Sequence, residues 1–529
     1  MTAQDRRGLP AEARSTTPDL DVRYPGIPDA DEASWDADAL APDDVSAALR
    51  ELRDRGPRER IAACFEEHYI EVWFSLPPAE LKTVLDAAPD VHPQTHPVFT
   101  YIRSLLRGES VPLLGDAYEG GLKASDPVVH TTLLAMAVLE ARLHGELRTA
   151  IELSDQIALK VPGNALLDGS RGNASFMFTQ AGITRMLAGD FAAALGAFER
   201  VKWTSPPSAL RFFVRDAHAK AALIHALVGD PDLARRELAE AESIARTASW
   251  AEPLVDTTVR LAQVALDGAH RPEVLAELAA LPRQSIGEMW PFFVMALTPA
   301  VCAGAPGATE LLDALESSNL PGASKGEGLT GSVFALVRAA HAAHAGHISA
   351  ARTALAAADH EMVLVCLANA GLALDSGSPA RACALAVQTG EGTVGLRQLE
   401  LWRLSVLLLV HRAKGEDAAA AAARDQALRL ADKLGTVTTT VVGHAVRTQI
   451  DALLRGEEAV MTESVALVLT PRELEVLEHV AAGISRREIA EKLFVSENTV
   501  KTQVSSLYRK LDASSRAELL ALAHTRGLI

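Results

Sequence analysis

The chain has 529 residues, of which 48% are hydrophobic and only 5% aromatic, and its formal net charge is −17. Hydrophobic cores stop growing near ~250 to 300 residues, so a chain of this length is expected to divide into several domains or repeats. No uninterrupted apolar run approaches the ~18 residues of a membrane helix, and the N-terminus lacks the apolar segment of a secretory signal, which predicts a cytoplasmic protein.

The first 44 residues are rich in acids and prolines and show almost no periodic apolar pattern. Such a segment cannot bury enough apolar surface to offset its conformational entropy. We therefore predict a disordered acidic leader over residues 1–44.

Residues 45–454 form the body of the chain. Amphipathic helical patterns fill it almost completely, separated by short turns marked by Gly or Pro. Because strand-like alternation is missing, the pattern predicts an all-α body.

Eight glycines, each following an apolar helical run, recur in the body at intervals of 31 to 44 residues: Gly145, Gly189, Gly229, Gly268, Gly304, Gly346, Gly377 and Gly415. In six cases an alanine stands five residues later: Ala150, Ala194, Ala234, Ala351, Ala382 and Ala420. Glycine allows a helix to end in a left-handed turn, and a small alanine allows the next helix to approach closely. The repeat predicts one helical hairpin per unit.

Such hairpins must stack to bury their apolar faces, which predicts a solenoid with a concave surface. The turn pattern resembles the tetratricopeptide repeat, although the intervals are looser than the ~34 residues of that family. We therefore describe the body as TPR-like, and a generic helical array remains the alternative.

The sequence contains neither the phosphate-binding motif GxxxxGK[ST] nor the zinc-binding motif HExxH. We therefore expect no enzyme activity, no cofactor and no metal site. The four cysteines form no CxxC pair and are expected to be reduced core residues. Five tryptophans are likewise expected in the core rather than in a ligand cage: Trp73, Trp203, Trp250, Trp290 and Trp402.

The acidity of the chain belongs to the body. Residues 470–529 hold nine Lys or Arg and eight Asp or Glu, so the local charge of this C-terminal segment does not oppose contact with nucleic acid. A short, weakly periodic stretch precedes it, and we place a domain linker at 455–469.

Three capping boxes divide the C-terminal segment into helices, each a Ser or Thr followed three residues later by a Glu: Thr470/Glu473, Ser485/Glu488 and Ser515/Glu518. The second helix is expected from Arg486 to about Leu493. After a turn at Phe494 and Val495, Ser496 caps a third helix that continues to about Leu511. Two helices joined by so short a turn are typical of the helix-turn-helix arrangement.

The third helix has two distinct faces. One carries the apolar stripe Val500, Val504, Leu507, Tyr508 and Leu511, and the other carries Asn498, Lys501, Thr502, Ser505, Arg509 and Lys510. A polar, cationic face of this kind can contact base edges and phosphates in the major groove. Lys501 is a candidate for a guanine edge, Thr502 and Ser505 for other base edges or a thymine methyl, and Ser496 and Thr499 for a phosphate. We predict that the DNA-binding set is Ser496, Asn498, Thr499, Lys501, Thr502, Ser505 and Arg509.

The whole span 470–529 resembles the LuxR/GerE-type DNA-binding domain of bacterial regulators. LTPRELEVL opens it, and GISRREIAEKLFVSENTVKTQVSSLYRKL carries the most characteristic run without insertion or deletion. The resemblance implies a four-helix domain that binds double-stranded DNA as a homodimer, with the third helix in the major groove and the fourth in the dimer contact. It also implies base contacts at Lys501, Thr502 and Ser505, and structural roles for Glu473, Ile489, Ala490, Val500 and Leu511.

The body resembles the repeat region of MalT-like regulators, but their ATPase domain is missing from this sequence. We predict a sequence-specific transcriptional regulator, an activator, whose body is a sensor or interaction module for a protein, peptide or small molecule. The alternative is an interaction scaffold whose C-terminal domain serves dimerisation only.

Overall fold

The computed structural model of the chain describes residues 44–109, 127–160, 171–267, 274–457 except 325, 436, 438 and 439, and 469–529 except 512, 514, 526 and 527. Every regular element in these residues is helical and none is a strand, which confirms the predicted all-α class. The predicted leader lies outside the described residues except for residue 44, and so does most of the predicted linker.

Five short helices form the N-terminal end of the body: α1 (Asp44–Asp54), α2 (Ile61–Glu67), α3 (Tyr69–Ser75), α4 (Pro78–Asp86) and α5 (Pro97–Leu106). Their buried side chains include Phe65 and Phe99, whose rings meet edge to face at 6.0 Å. The guanidinium of Arg50 on α1 donates two hydrogen bonds, of 2.7 and 3.1 Å, to the carboxylate of Glu80 on α4. This forked pair connects the two helices.

The remaining helices of the body follow in chain order: α6 (Pro127–Leu143), α7 (Leu147–Lys160), α8 (Asn173–Leu187), α9 (Phe191–Lys202), α10 (Phe212–Leu227), α11 (Pro231–Ser243), α12 (Glu252–Asp267), α13 (Val274–Ala279), α14 (Arg283–Ile286), α15 (Trp290–Cys302), α16 (Ala308–Glu316), α17 (Gly328–His344), α18 (Ile348–Leu355), α19 (Val363–Asp375), α20 (Pro379–Gln388), α21 (Arg397–Lys414), α22 (Asp417–Leu434) and α23 (His444–Leu454). Neighbours along the chain pack as hairpins, as in α6–α7, α8–α9, α17–α18 and α21–α22. The first helices of successive hairpins also pack on each other, as α15 does on α17. Stacking in chain order therefore gives one continuous core.

The turns of these hairpins follow the glycine and alanine pattern. Gly189 has a φ of +81°, and the next helix starts at once, with the side chain of Asp190 accepting a hydrogen bond from the Ala193 amide at 3.1 Å. A left-handed φ also occurs at Gly145, Gly304, Gly346, Gly377 and Gly415. All six alanines are buried: Ala150, Ala194, Ala234, Ala351, Ala382 and Ala420. The close approach of the second helix is thus present, while the assignment of these hairpins to the TPR class stays a prediction.

Gly229 does not follow the predicted turn geometry, because it is not among the glycines with a left-handed φ. A Cβ atom at this position would lie 2.5 Å from Nδ1 of His225. Glycine is required here for the close approach of a side chain and not for the turn. Gly268 lies outside the described residues.

The tryptophan expectation holds for Trp250, Trp290 and Trp402, which are buried, but it is wrong for Trp203. That side chain is 85% exposed. Trp203 stands at the C-cap of α9, where the chain leaves the hairpin, so no neighbouring helix covers it in the described structure.

Among the residues that the structure describes, one helical stretch, Arg283–Cys302, is long and apolar enough to cross a membrane, which the sequence pattern did not indicate. It combines α14, a short 3-10 turn and α15 into 20 residues. Inside the described structure 61% of its most apolar part is buried. Packing of this kind is what a central core helix shows, because its apolar surface is covered by protein.

Candidate nucleic-acid interface

The C-terminal segment forms four helices: α24 (Pro471–Ala481), α25 (Arg486–Lys492), α26 (Glu497–Leu511) and α27 (Arg516–Thr525). The predicted capping boxes fix their starts. The Thr470 hydroxyl accepts from the Glu473 amide at 3.2 Å, and the Glu473 carboxylate accepts from the Thr470 amide at 2.7 Å.

The second capping box has the same reciprocal form at Ser485 and Glu488, with distances of 3.3 and 3.0 Å. Its hydrogen bonds also hold the pKa of the Glu488 carboxyl below its ordinary value. At the third, the Glu518 amide donates to the Ser515 hydroxyl at 3.2 Å. Each helix therefore starts where the sequence predicts.

The apolar face of α26 lies in the core of this domain. Val500, Val504, Leu507 and Leu511 are buried, and Tyr508 is half-buried. They pack beside buried residues of the two preceding helices: Leu474, Val476, Leu477, Ile489 and Ala490. Because this face is fixed inward, the opposite face of α26 must point to solvent.

Six of the seven predicted DNA-contacting residues are exposed together at the start and along the outer face of α26: Ser496, Asn498, Thr499, Lys501, Thr502 and Ser505. The side chain of the seventh, Arg509, lies outside the described residues. These residues are exposed in the full chain, so no described part of the body covers this face of α26. Among the described residues, the Lys501 ammonium has no partner and is available to a ligand.

Three of these hydroxyl groups already have hydrogen bonds within the helix. The Ser496 hydroxyl accepts from the Thr499 amide at 3.1 Å and lies 2.8 Å from the Thr499 hydroxyl. The Thr502 hydroxyl donates to the Asn498 carbonyl at 2.9 Å. Thr502 therefore offers lone pairs and a methyl group to a base edge, but not its proton.

Two arginines that sequence reasoning missed hold the ends of helices α24 and α25. Arg472 donates to the Leu493 carbonyl at the end of α25, and also pairs with Glu475 at 2.8 Å. Arg516 donates to the Val480 carbonyl at the end of α24, at 2.7 Å. The Val480 carbonyl also accepts from the Gly483 amide at 3.2 Å, so Arg516 adds a second bond there. Arg472 thus connects α24 to α25, and Arg516 connects α27 to α24.

Phe494, in the turn before α26, is a second feature that the sequence did not indicate. Its φ is +53°, the only left-handed φ at a non-glycine residue in the described chain, and its side chain is 96% exposed. The amide of the next residue, Val495, donates to the Ala490 carbonyl at 3.0 Å, which closes the turn. The left-handed conformation is thus set by the turn and not by burial of the ring.

The domain contacts the body through α24 and the chain end. The Ser349 amide in α18 donates to the Glu478 carboxylate at 3.2 Å. A Cβ atom on Gly346 would lie 3.0 Å from the Ile529 carbonyl, so the two backbones are close there. Neither contact uses the polar face of α26.

Comparison with known proteins agrees with this geometry. Residues 467–523 match the family described as bacterial regulatory proteins, luxR family. The chain is 37% identical over 113 residues to the uncharacterized transcriptional regulatory protein YxjL of Bacillus subtilis, covering 21% of this chain and 46% of that protein. It is 42% identical over 74 residues to the transcriptional regulatory protein LiaR of the same organism, covering 14% of this chain and 33% of LiaR.

A third relative is BvgA of Bordetella pertussis, named a putative positive transcription regulator of virulence factors. It is 37% identical over 81 residues, which cover 15% of this chain and 39% of BvgA. The chain thus spans less than half the length of each of these curated relatives. No solved structure matches the chain. The predicted LuxR-type C-terminal domain is confirmed.

Proposed function

Because residues 467–523 belong to the luxR family of bacterial regulatory proteins, we propose that the whole chain is a sequence-specific DNA-binding transcriptional regulator. It works in the bacterial cytoplasm and binds double-stranded DNA as a homodimer. The observation that carries this proposal is the exposed polar and cationic face of α26, opposite an apolar stripe that lies in the core of the domain. A helix held in this way can enter the major groove without rearrangement of its domain.

Within the proposed interface, Lys501 donates to a guanine edge, the contact for which an unpaired ammonium on a recognition helix is suited. Thr502 and Ser505 contact neighbouring base edges, and Asn498 and Arg509 lie on the same side of the helix. Ser496 and Thr499 mark the helix start, where free backbone amides and the helix dipole favour a phosphate.

The regulatory part of the proposal is that the body senses a protein, peptide or small molecule and thereby changes promoter binding by the C-terminal domain. Stacked hairpins support it, since they present a large surface for binding. We also propose activation as the mode of action, which the name of BvgA as a positive regulator supports.

The test is recovery of genomic DNA fragments bound to the purified full-length protein, followed by a mobility shift with the recovered sequence and with its scrambled version. We expect a common sequence element and tighter binding to it than to the scrambled duplex. If no duplex is retained even at low ionic strength, the alternative of a scaffold whose C-terminal domain only dimerises replaces this proposal.

A further inference from the structure

A cavity of about 180 Å³ lies in the N-terminal half of the body. Residues of α3, α5, α6, α8, α10 and α12 line it, together with the segment 285–289. In another protein a cavity of ~150 Å³ is sufficient for a benzene molecule. The space therefore accommodates one substituted aromatic ring.

The wall of this cavity concentrates the aromatic residues of the chain. The whole sequence has only 13 Phe, 6 Trp and 5 Tyr, and eight of these line the cavity: Tyr69, Trp73, Phe74, Tyr101, Phe176, Phe212, Phe213 and Trp250. Phe74 stacks on Trp250 at 5.3 Å and meets Phe213 edge to face at 5.1 Å. Ring faces and edges offer favourable contacts to another aromatic ring.

Arg142 is the first of two buried cations at the cavity wall, and it has no hydrogen bond left to donate. Its guanidinium gives two bonds to Glu288, at 2.6 and 2.9 Å. The other three go to the carbonyl and side chain of Gln180 and to the Thr184 hydroxyl, at 2.9 to 3.1 Å. All five N–H groups are thus used, and Arg142 serves as a structural tie between α6 and α8.

Lys220 is the second cation, and unlike Arg142 it has N–H groups without an acceptor among the described residues. It is only 6% exposed, and its ammonium donates to the carboxylate of Asp216, one turn earlier on α10. An ammonium has three N–H donors, and the described residues provide no other acceptor for it. Two donors at the cavity wall are therefore available to a bound molecule, while Asp216 already balances the positive charge.

We propose that this cavity binds a small, neutral, one-ring aromatic molecule with a hydrogen-bond acceptor, such as a carbonyl oxygen, directed at Lys220. The ligand is neutral because an anion beside the balanced Lys220–Asp216 pair would bury an uncompensated charge. A partner protein does not fit into a space of this size. The cavity and its ligand do not depend on the proposed function. Only the role of this ligand as the effector of the regulator rests on the proposed function.

The test uses fluorine NMR of 4-fluoroacetophenone with the full-length protein. We expect line broadening that saturates at one site per chain. Binding of 4-fluorotoluene, which lacks the acceptor, should be about 2- to 10-fold weaker, the range expected for one hydrogen bond. The anion 4-fluorobenzoate should bind more weakly than the ketone as well. No broadening by the ketone, or equal binding of all three probes, would overturn the proposal.

A matched pair of variants locates the site. Leu254 and Leu336 are both half-buried leucines at a cavity wall, the second at a separate cavity of about 50 Å³. Leu254→Trp should abolish binding of the ketone and Leu336→Trp should retain it, with thermal unfolding confirming that both fold. Equal binding by both variants would place the probe elsewhere and refute the site. Should Leu254→Trp fail to fold, the comparison of the three probes on the wild-type chain decides.

A mobility shift on the same preparations separates this inference from the proposed function. If the ketone binds and no duplex is retained, the proposed ligand site is supported and the regulator assignment is wrong. If DNA is bound and the ketone is not, the cavity proposal fails alone.

Discussion

The backbone amide of Ser349 in the body and the carboxylate of Glu478 in the DNA-binding domain form a hydrogen bond of 3.2 Å. Ser349 lies in the first turn of α18, where an amide has no partner within its own helix. Glu478 therefore acts as a cap supplied by a different domain. Burial raises the pKa of the Glu478 carboxyl above its ordinary value, although the hydrogen bond from Ser349 and the nearby Arg352 lower it in part.

This raised pKa predicts how docking of the two domains depends on pH. A group whose pKa is higher in the docked state favours docking below its free pKa and opposes it as pH rises through the docked value. Docking should therefore be tighter in mild acid than at neutral pH. Glu478→Gln removes the charge but keeps an oxygen acceptor, so at neutral pH it should dock more tightly than wild type and in acid it should not differ.

Hydrogen exchange at the Ser349 amide measures this docking, because no bond within α18 protects that amide. We expect slower exchange in Glu478→Gln than in wild type at neutral pH, and equal rates in acid. Glu491→Gln is the control, since Glu491 is exposed and its carboxylate pairs, among the described residues, with Arg487 at 3.2 Å. Faster exchange in Glu478→Gln at neutral pH would show that the ionised carboxylate stabilises the contact and that our sign is wrong.

Replacement of Lys501 by alanine tests its proposed contact with a base. We expect a loss of ~1 to 3 kcal/mol in binding to the selected sequence, and a much smaller loss on scrambled duplex. The control is Lys492→Ala, which removes an exposed lysine at the end of α25. Unchanged discrimination between the two duplexes in Lys501→Ala would exclude a base contact by this residue.

The salt dependence of binding tests whether the cations of α25 face the phosphates. The logarithm of affinity should fall with the logarithm of salt concentration by ~0.9 for each phosphate neutralised. Arg486→Gln should reduce this slope by about one phosphate, while Arg487→Gln should change it less because Arg487 pairs with Glu491. Equal slopes for wild type and Arg486→Gln would place this arginine away from the DNA backbone.

Local chemistry explains why the C-terminal domain could be predicted nearly residue by residue. Contacts within one or two turns of a helix determine the capping boxes at Thr470 and Ser485 and the buried positions Val500 and Leu507. Short sequence patterns are sufficient to predict such contacts. The same holds for the turn at Gly189. In such places spacing along the chain determines which atoms meet.

Features built from distant segments could not be predicted in this way. The Ser349–Glu478 contact joins residues 129 positions apart, and the ties made by Arg472 and Arg516 depend on the angles between helices. The aromatic cavity collects side chains from helices that are separated by long stretches of chain, none of which forms a motif by itself. Gly229 is the opposite case, in which a short sequence pattern predicted the wrong geometry. Its spacing matches that of the other glycines, but the absence of a side chain there makes room for His225.

The left-handed backbone at Phe494 predicts a stabilising substitution. A φ of +53° is unfavourable for a residue with a Cβ atom, but asparagine tolerates it better than phenylalanine. The ring is 96% exposed, so its removal takes away little buried apolar surface. Phe494→Asn should raise the unfolding free energy of the C-terminal domain by ~0.5 to 1 kcal/mol, as measured by thermal denaturation. A lower midpoint would mean that the ring contributes contacts that its exposure does not suggest.

Two helical glycines of the body predict opposite effects of the same substitution. A Cβ atom on Gly371 in α19 would lie 2.1 Å from the carbonyl oxygen of Val442, and this backbone cannot move without separating α19 from the segment before α23. Gly371→Ala should therefore destabilise the body by ~2 kcal/mol or more, as other overpacked core substitutions do. A Cβ atom on Gly196 in α9 meets nothing within 4 Å, so Gly196→Ala should gain ~1 kcal/mol from helix propensity alone. Thermal or urea unfolding of both variants measures the difference, and a similar shift in the two would contradict the close contact between Gly371 and Val442.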